Sequence, residues 1–179
     1  MPGELRRMAH TLAEDIPAEY LVTPLEYIFA DNFRCRVLCN LLSLIGSGRE
    51  VGADVMSACR SFLLRDFLVH LADETQALFP LLLERTSVGD GVLAAVRRER
   101  PGFAVINRLA GALDQLPARG DGAARLLSDF VSDERRHIAV ENVVLLPMAK
   151  QRLRPSDLTW LTGVMRDHRG RLHRAQVPS

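Results

Sequence analysis

One pattern occurs twice in this chain, in residues 66–80 (DFLVHLADETQALFP) and in residues 133–147 (DERRHIAVENVVLLP). Each copy has an aspartate, a histidine four residues later, a glutamate four residues after the histidine, and a proline six residues after the glutamate. A single His-x-x-x-Glu is common by chance, whereas two copies that share the flanking aspartate and proline are not. We therefore expect the rest of the chain to be a scaffold that brings these two segments together.

The spacing of each histidine and glutamate suits a metal site on α-helices. Residues four apart lie on one face of a helix, about 5–6 Å apart at Cβ, so the imidazole and the carboxylate of one pair can reach the same ion. Two such helices face to face offer two nitrogens and two carboxylates, and metal sites in helical bundles are commonly built this way. The candidate metal ligands are His70, Glu74, His137 and Glu141.

Two interpretations of these pairs compete. A single His/Glu pair at this spacing is more often a surface or half-buried ion pair than a metal site. The repeat favours a metal, and so do the apolar residues that surround both copies, such as Phe67, Leu78, Ile138 and Leu145. Mixed imidazole and carboxylate ligation suits iron, zinc or manganese better than calcium.

Composition excludes several classes of protein. The chain has 179 residues and is 47% hydrophobic, enough for one domain with its own core. Its net charge of +1 gives no concentrated basic surface for nucleic acid. No apolar run reaches the roughly 18 residues of a membrane span, and the N-terminus lacks the apolar segment of a secretory signal. Three cysteines without a Cys-x-x-Cys fit a reducing cytoplasm.

The apolar periodicity indicates helices throughout, and no strand pattern occurs. We expect long helices over residues 24–45, 53–85, 91–116 and 123–153, followed by a last helix over residues 155–168. Prolines are expected to bend or break these helices at Pro80 and Pro147, and Arg100-Pro101-Gly102 is expected to interrupt the third helix.

Four long helices joined by short loops favour antiparallel neighbours. The predicted fold is therefore all-α, an up-down-up-down four-helix bundle with a short N-terminal arm and an extra C-terminal helix. The predicted boundaries are 1–22 for the arm, 23–153 for the bundle, and 154–179 for the C-terminal helix and a basic, frayed tail.

The first long helix carries further candidates for the core or for its centre. The inner stripe of the first long helix is predicted to contain Leu25, Ile28, Phe29, Asn32, either Cys35 or Arg36, Cys39 and Leu42. Asn32 either makes hydrogen bonds within the core or faces its centre. Cys35 is either a soft ligand, a redox-sensitive thiol or, as is usual for buried cysteine, a small apolar residue, and Cys39 lies one turn from it.

The remaining polar candidates lie beside the repeat or near the chain ends. Asp66 and Asp133 stand one turn before the two histidines, where each would either accept the second N–H of the imidazole or be solvated. His10, His168 and His173 are expected at the surface.

The chain resembles the hemerythrin-like, or HHE cation-binding, family over about residues 24–150. The resemblance rests on His70-x-x-x-Glu74 with Leu-Phe-Pro ending at Pro80, and on His137-x-x-x-Glu141 with Leu-Pro ending at Pro147. The segment FADNFRCR (29–36) and a Met-x-x-His-Arg ending at Arg169 also resemble a bacterial branch. The resemblance implies a four-helix bundle with a non-haem di-iron centre, held by five histidines and two bridging carboxylates, that binds oxygen or responds to oxygen, iron or redox state.

This chain departs from the family pattern at two places. The ligand histidine of the first helix falls on Asn32, and the ligands of the third helix fall near residues 99–102 and Ala104, none of which is histidine. Three outcomes remain open. They are a mononuclear site of two histidines and two glutamates, a weak dinuclear site bridged by Glu74 and Glu141, and a metal-free site in which Arg100 pairs with those two glutamates.

The sequence therefore predicts a cytoplasmic hemerythrin-like protein that binds iron or another divalent metal and acts in oxygen, redox or metal sensing. Dioxygen or another small ligand at the metal is the expected partner, together with a protein partner or a second copy of the chain, and neither nucleic acid nor a membrane is expected. The alternative is a metal-free bundle that acts as a regulatory or protein-interaction module, with Arg100 in place of the ion. An enzyme is not expected, and iron-dependent oxygen or peroxide chemistry is the weakest hypothesis.

Overall fold

The computed structural model describes residues 2–86, 91, 93–94, 97, 100–115 and 121–176. The α-helices of the described ranges include α1 (Pro2–Ala13), α2 (Pro24–Gly46), α3 (Ala53–Leu64), α4 (Asp66–Ala72), α5 (Phe79–Glu84), α6 (Phe103–Gln115), α7 (Asp121–Val140), α8 (Leu146–Arg152) and α9 (Pro155–Gln176). A 3₁₀ turn spans Ala18–Val22, and two π-helical segments span Asp73–Leu78 and Glu141–Leu145. No strand occurs in the described ranges, and the all-α prediction is confirmed.

The two repeated prolines each follow a π-helical segment. A proline inside an α-helix lacks an N–H and its ring clashes with the carbonyl four residues earlier. Here the residue before each proline donates its backbone N–H five residues back, from Phe79 to Glu74 and from Leu146 to Glu141. This wider i→i+5 turn is rare and occurs frequently at functional sites. The chain thus remains helical where the sequence predicted a bend or a break.

Contacts divide the chain into two compact units, of which the first comprises Met1–Asp15, Asn32–Leu68 and Pro101–Ile138. In this unit α1 packs on α3, and α3 packs on α6. The rings of Phe67 and Phe130 meet edge to face at 5.5 Å. The buried guanidinium of Arg34 donates to the carbonyl of Leu12 at 2.9 Å and to Asp66 at 3.0 Å, so it ties the end of α1 to the start of α4.

The second unit comprises Ile16–Asp31, Val69–Arg100 and Ala139–Ser179. Its core is mainly aliphatic and includes Leu25, Ile28, Leu78, Phe79, Leu145, Leu161 and Met165. The C-terminal helix α9 packs on the first π segment and on the 3₁₀ turn. Asp157 anchors the start of α9 by accepting two bonds from Arg85, at 2.9 and 2.7 Å, and one from the backbone N–H of Arg154. The pKa of Asp157 is held below its ordinary value chiefly by the hydrogen bonds from Arg85.

Three of the sequence predictions for this region were wrong. Phe29, assigned to the inner stripe of α2, is 57% exposed, because its position on the helix points it away from the core. The C-terminal helix does not end near residue 168 but continues to Gln176. His168 is not solvated, because its ring lies on the buried side of α9 and contacts Asp73. The side chain of His173 lies outside the part of the chain whose side chains are described.

Other sequence predictions hold. The helix α2 has almost the predicted bounds, the third helix is interrupted at Pro101 and Gly102, and His10 is exposed. Among the described residues, no helix combines the length and the apolar character needed to span a membrane.

We predict opposite effects of alanine at two glycines. Gly48 ends α2 with φ +80°, and the bonds from its own N–H to Ile45 and from the next N–H to Leu44 form a Schellman motif. Gly48→Ala should lower the free energy of unfolding by about 1 kcal/mol, because alanine disfavours this left-handed conformation. Gly163 lies exposed within α9 with open space around its Cβ position, so Gly163→Ala should raise it by about 0.5 kcal/mol. Urea unfolding measures both, and equal effects would contradict the assigned geometry.

Candidate metal centre

His70 and Glu74 form a buried pair at the junction of α4 and the first π segment. Both side chains are essentially inaccessible to solvent, and Nε2 of His70 lies 2.8 Å from Oε1 of Glu74. The four-residue spacing places them on one face of the helix, as the repeat predicted. The other ring nitrogen, Nδ1, lies 3.4 Å from Oδ2 of Asp31, which is also buried.

Asp31 makes the contact with the second ring nitrogen of His70 that the sequence had suggested for Asp66. A carboxylate on the far nitrogen of a ligand histidine fixes its tautomer and orientation and raises its basicity. Asp66 accepts instead from Arg34 and Arg65. Asp133, the matching residue of the second copy, is 62% exposed beside Arg136, so its solvated interpretation holds.

Glu141 joins the pair to form a three-residue cluster within the second unit. It is fully buried and begins the second π segment. One ligand atom from each of His70, Glu74 and Glu141 lies within 4.8 Å of the other two. An imidazole nitrogen and two carboxylate oxygens at this separation fit a first-row divalent ion such as iron, manganese or zinc.

The second histidine of the repeat is buried in the first unit. His137, near the end of α7, is 5% exposed. Asn32, on which the resemblance placed a ligand position, is also buried in the first unit. The role of His137 as a fourth ligand stays a prediction.

Arg100 reaches the cluster from the interruption that precedes α6. Its Nη2 forms an ion pair with Oε2 of Glu74, and its side chain is only 2% exposed. The contact matches one half of the metal-free outcome, in which this guanidinium offsets the charge of the buried carboxylates. Each oxygen of Glu74 thus has a nitrogen partner, His70 at one and Arg100 at the other.

The cysteines are reduced and buried in the first unit. The Sγ of Cys35 lies within 4.8 Å of a carboxylate oxygen of Glu134, a buried acid that the sequence analysis did not single out. Burial, reinforced by the charge of Glu134, raises the pKa of Cys39 far above its usual range, and burial raises the pKa of Cys59 to about 12. Thiols in such surroundings are inert, because the reactive form is the thiolate.

These observations define the class as an all-α protein with a buried histidine–carboxylate cluster at π-helical turns. The family model described as Hemerythrin HHE cation binding domain matches residues 23–149, and the chain belongs to this family. Searches of curated proteins and of solved structures found no match to the chain. Membership implies metal binding, for which the cluster supplies candidate ligands.

Removing Arg100 should destabilise the protein and increase its response to metal. Arg100→Met leaves Glu74 buried without the guanidinium, and the loss of one partner from a buried pair costs about 3 kcal/mol. Arg60→Met is the matched control, because Arg60 pairs with Asp114 at an exposed site where the loss is less than about 1 kcal/mol. Thermal unfolding with a chelator, and then with excess Mn²⁺, measures both effects. If the metal-free Arg100→Met variant were as stable as the Arg60→Met variant, the buried ion pair of Arg100 and Glu74 would be contradicted.

The thiols should not react while the protein is folded. At pH 8 the aromatic disulfide reagent DTNB should label none of the three cysteines in native protein on the minutes timescale, and should label all three in guanidinium chloride. The reason is that burial keeps Cys39 and Cys59 protonated at this pH. Rapid labelling of Cys35 alone would instead favour its redox-sensitive role.

Proposed function

We propose that the protein binds one divalent transition metal, with iron the first choice, through His70, Glu74 and Glu141, and that the occupied site serves oxygen, redox or metal sensing. The observation that carries the proposal is the cluster of three buried ligand atoms within 4.8 Å of one another. His137 is the predicted fourth ligand, and open positions would accept water, dioxygen or another small ligand.

The side chains around His70 support this assignment. Asp31 at Nδ1 favours the tautomer in which that nitrogen keeps its proton, so Nε2 is the ligand nitrogen. The proton between Nε2 and Oε1 of Glu74 must then leave when an ion binds, and affinity should rise with pH. Iron bound here would supply reversible redox and oxygen chemistry, and the protein residues would orient the ligands and exclude bulk water.

Arg100 gives the site a second state. Its guanidinium and a bound cation both favour the charged carboxylate of Glu74. An ion held by Glu74 would compete with Arg100 for the same carboxylate. Displacement would move the interruption before α6, which is a route from occupancy to a protein contact. No catalytic reaction is assigned to the protein. Its free buried cysteines support a reducing, cytoplasmic location.

The second candidate function is a metal-free regulatory or interaction module. The buried pair of Arg100 and Glu74 favours it, because a guanidinium already offsets the charge of one carboxylate. Exposed Tyr20, Val22 and Trp160 in the second unit would supply apolar contact area for a protein partner or a second copy.

Metal content decides between the two functions. Protein reconstituted with Fe²⁺ under nitrogen and passed through a desalting column should retain about one ion per chain by elemental analysis, since one cluster of three ligands holds one ion. His70→Ala and Glu141→Gln should reduce the content to background, and His137→Ala tests the predicted fourth ligand. His10→Ala, at an exposed histidine on α1, is the control and should retain wild-type content. Background iron in wild type would reject metal binding in favour of the metal-free module.

A further inference from the structure

The Met-x-x-His-Arg motif on α9 contributes no ligand to the proposed centre. Two of its residues, His168 and Arg169, nevertheless contact Asp73, which is adjacent in sequence to the proposed ligand Glu74. Nδ1 of His168 lies 2.7 Å from Oδ1 of Asp73, and Nη1 of Arg169 donates to Oδ2 of Asp73 at 2.7 Å. Asp73 is 1% exposed and immediately precedes Glu74. Both carboxylate oxygens of a buried acid are therefore held by one turn of the C-terminal helix.

Arg169 is itself held firmly in place. Its Nη1 donates to the carbonyl of Met165 at 2.8 Å, and its Nε donates to the hydroxyl of Tyr27 at 3.1 Å. The guanidinium carbon lies 4.4 Å from the centroid of the Tyr27 ring, within the range of a cation–π interaction. Burial acts to lower the pKa of Arg169, but the charge of Asp73 and the contact with Tyr27 outweigh it, so the pKa is raised. The motif thus presents a fixed, charged donor to Asp73.

The position of Asp73 links this anchor to the proposed ligands. Asp73 begins the π segment. The next residue, Glu74, accepts at its backbone carbonyl the i→i+5 hydrogen bond from the N–H of Phe79. Successive residues on a helix point about 100° apart, so Asp73 can face α9 while Glu74 faces His70. Any movement of this turn displaces both carboxylates together. The residues named here all belong to the second unit.

We propose that His168 and Arg169 are positioning residues for Glu74, which act by fixing Asp73, and that the contact between this turn of α9 and Asp73 is therefore coupled to metal binding. The metal part of this inference rests on the proposed function, whereas the positioning part does not. Coupling is reciprocal, because a helix whose docking strengthens metal binding must itself be docked more firmly when metal is bound. Occupancy of the centre would then hold the His168–Arg169 turn of α9 more firmly against Asp73.

The test compares the two anchors of α9. Arg169→Ala removes the anchor at Asp73, and His168→Ala is the milder second variant if the first does not fold. Arg169→Lys keeps the charge but not the planar fork. Asp157→Asn is the control, because it loosens α9 at Arg85, away from Asp73. Each folded variant is titrated with Co²⁺ alone, followed by its ligand-field absorption, and the metal-free protein is examined by amide hydrogen exchange.

Arg169→Ala should raise the dissociation constant for Co²⁺ by about ten-fold, the lower end of the effect of losing a direct partner of a ligand, because Arg169 acts through Asp73, and it should change the absorption spectrum. Arg169→Lys should recover part of the affinity. Asp157→Asn should leave affinity and spectrum close to wild type, even where it lowers the melting temperature as much. Equal losses in Arg169→Ala and Asp157→Asn would reduce the motif to a structural anchor and overturn the inference.

Hydrogen exchange separates this inference from the proposed function. In metal-free Arg169→Ala, exchange should accelerate in residues 73–78 more than it does in Asp157→Asn, which should act mainly near residue 157. If wild type binds no Co²⁺, the proposed function fails and this comparison alone decides whether Asp73 is positioned by α9. Exchange in residues 73–78 that is unchanged by Arg169→Ala and His168→Ala would overturn the positioning role.

Discussion

The centre depends on how the charge of a fully buried carboxylate, that of Glu74, is compensated. An ionised carboxylate removed from water costs several kcal/mol unless opposite charge and hydrogen bonds replace its hydration. His70 lies at one oxygen of Glu74 and Arg100 at the other, so two different kinds of nitrogen compensate one acid. Each nitrogen comes from a different segment, and the position of Glu74 therefore restricts where those segments can lie within the second unit.

The prolines explain why the repeat extends beyond a histidine and a glutamate. A proline six residues after each glutamate cannot donate to the helix, and the residue before it donates instead to the glutamate carbonyl. The result is a π turn that begins at or next to each candidate ligand. A π turn rotates the following residues relative to a straight α-helix, so the same backbone can bury an acid at its start and an apolar face after it. The motif thus encodes the geometry of the turn as well as the chemistry of the ligand.

The sequence was informative where one stretch of chain carries the whole signal. The spacing of His70 and Glu74 predicted a shared helical face, and the bounds of α2 followed from Pro24 and the glycines after Ile45. It was less informative where the partner lies far away. Asp31 could not be separated from Asp66 as the neighbour of His70, because helical periodicity ranks burial but does not identify contacts across helices.

The role of the C-terminal helix was missed for a related reason. Asp73 is separated from His168 and Arg169 by more than ninety residues, and a basic sequence near the chain end is typical of a frayed tail. The motif containing His168 was noted as a family feature, yet only the fold shows that it binds Asp73. Phe29 was misplaced because a stripe that contains one polar residue can be drawn at more than one angle around the helix.

The formal charge of the buried side chains around Glu74 affects which metal ion the cluster would favour. Asp31, Glu74 and Glu141 carry three negative charges when all are ionised, whereas Arg100 carries one positive charge and His70 carries another only when it is protonated. A divalent ion at this cluster would therefore meet carboxylates whose charge favours its binding. Carboxylates outnumber imidazoles in this cluster, and they bring the negative charge that attracts a cation. Among first-row metals, a donor set of one imidazole and two carboxylates suits ions that accept oxygen ligands, such as iron and manganese.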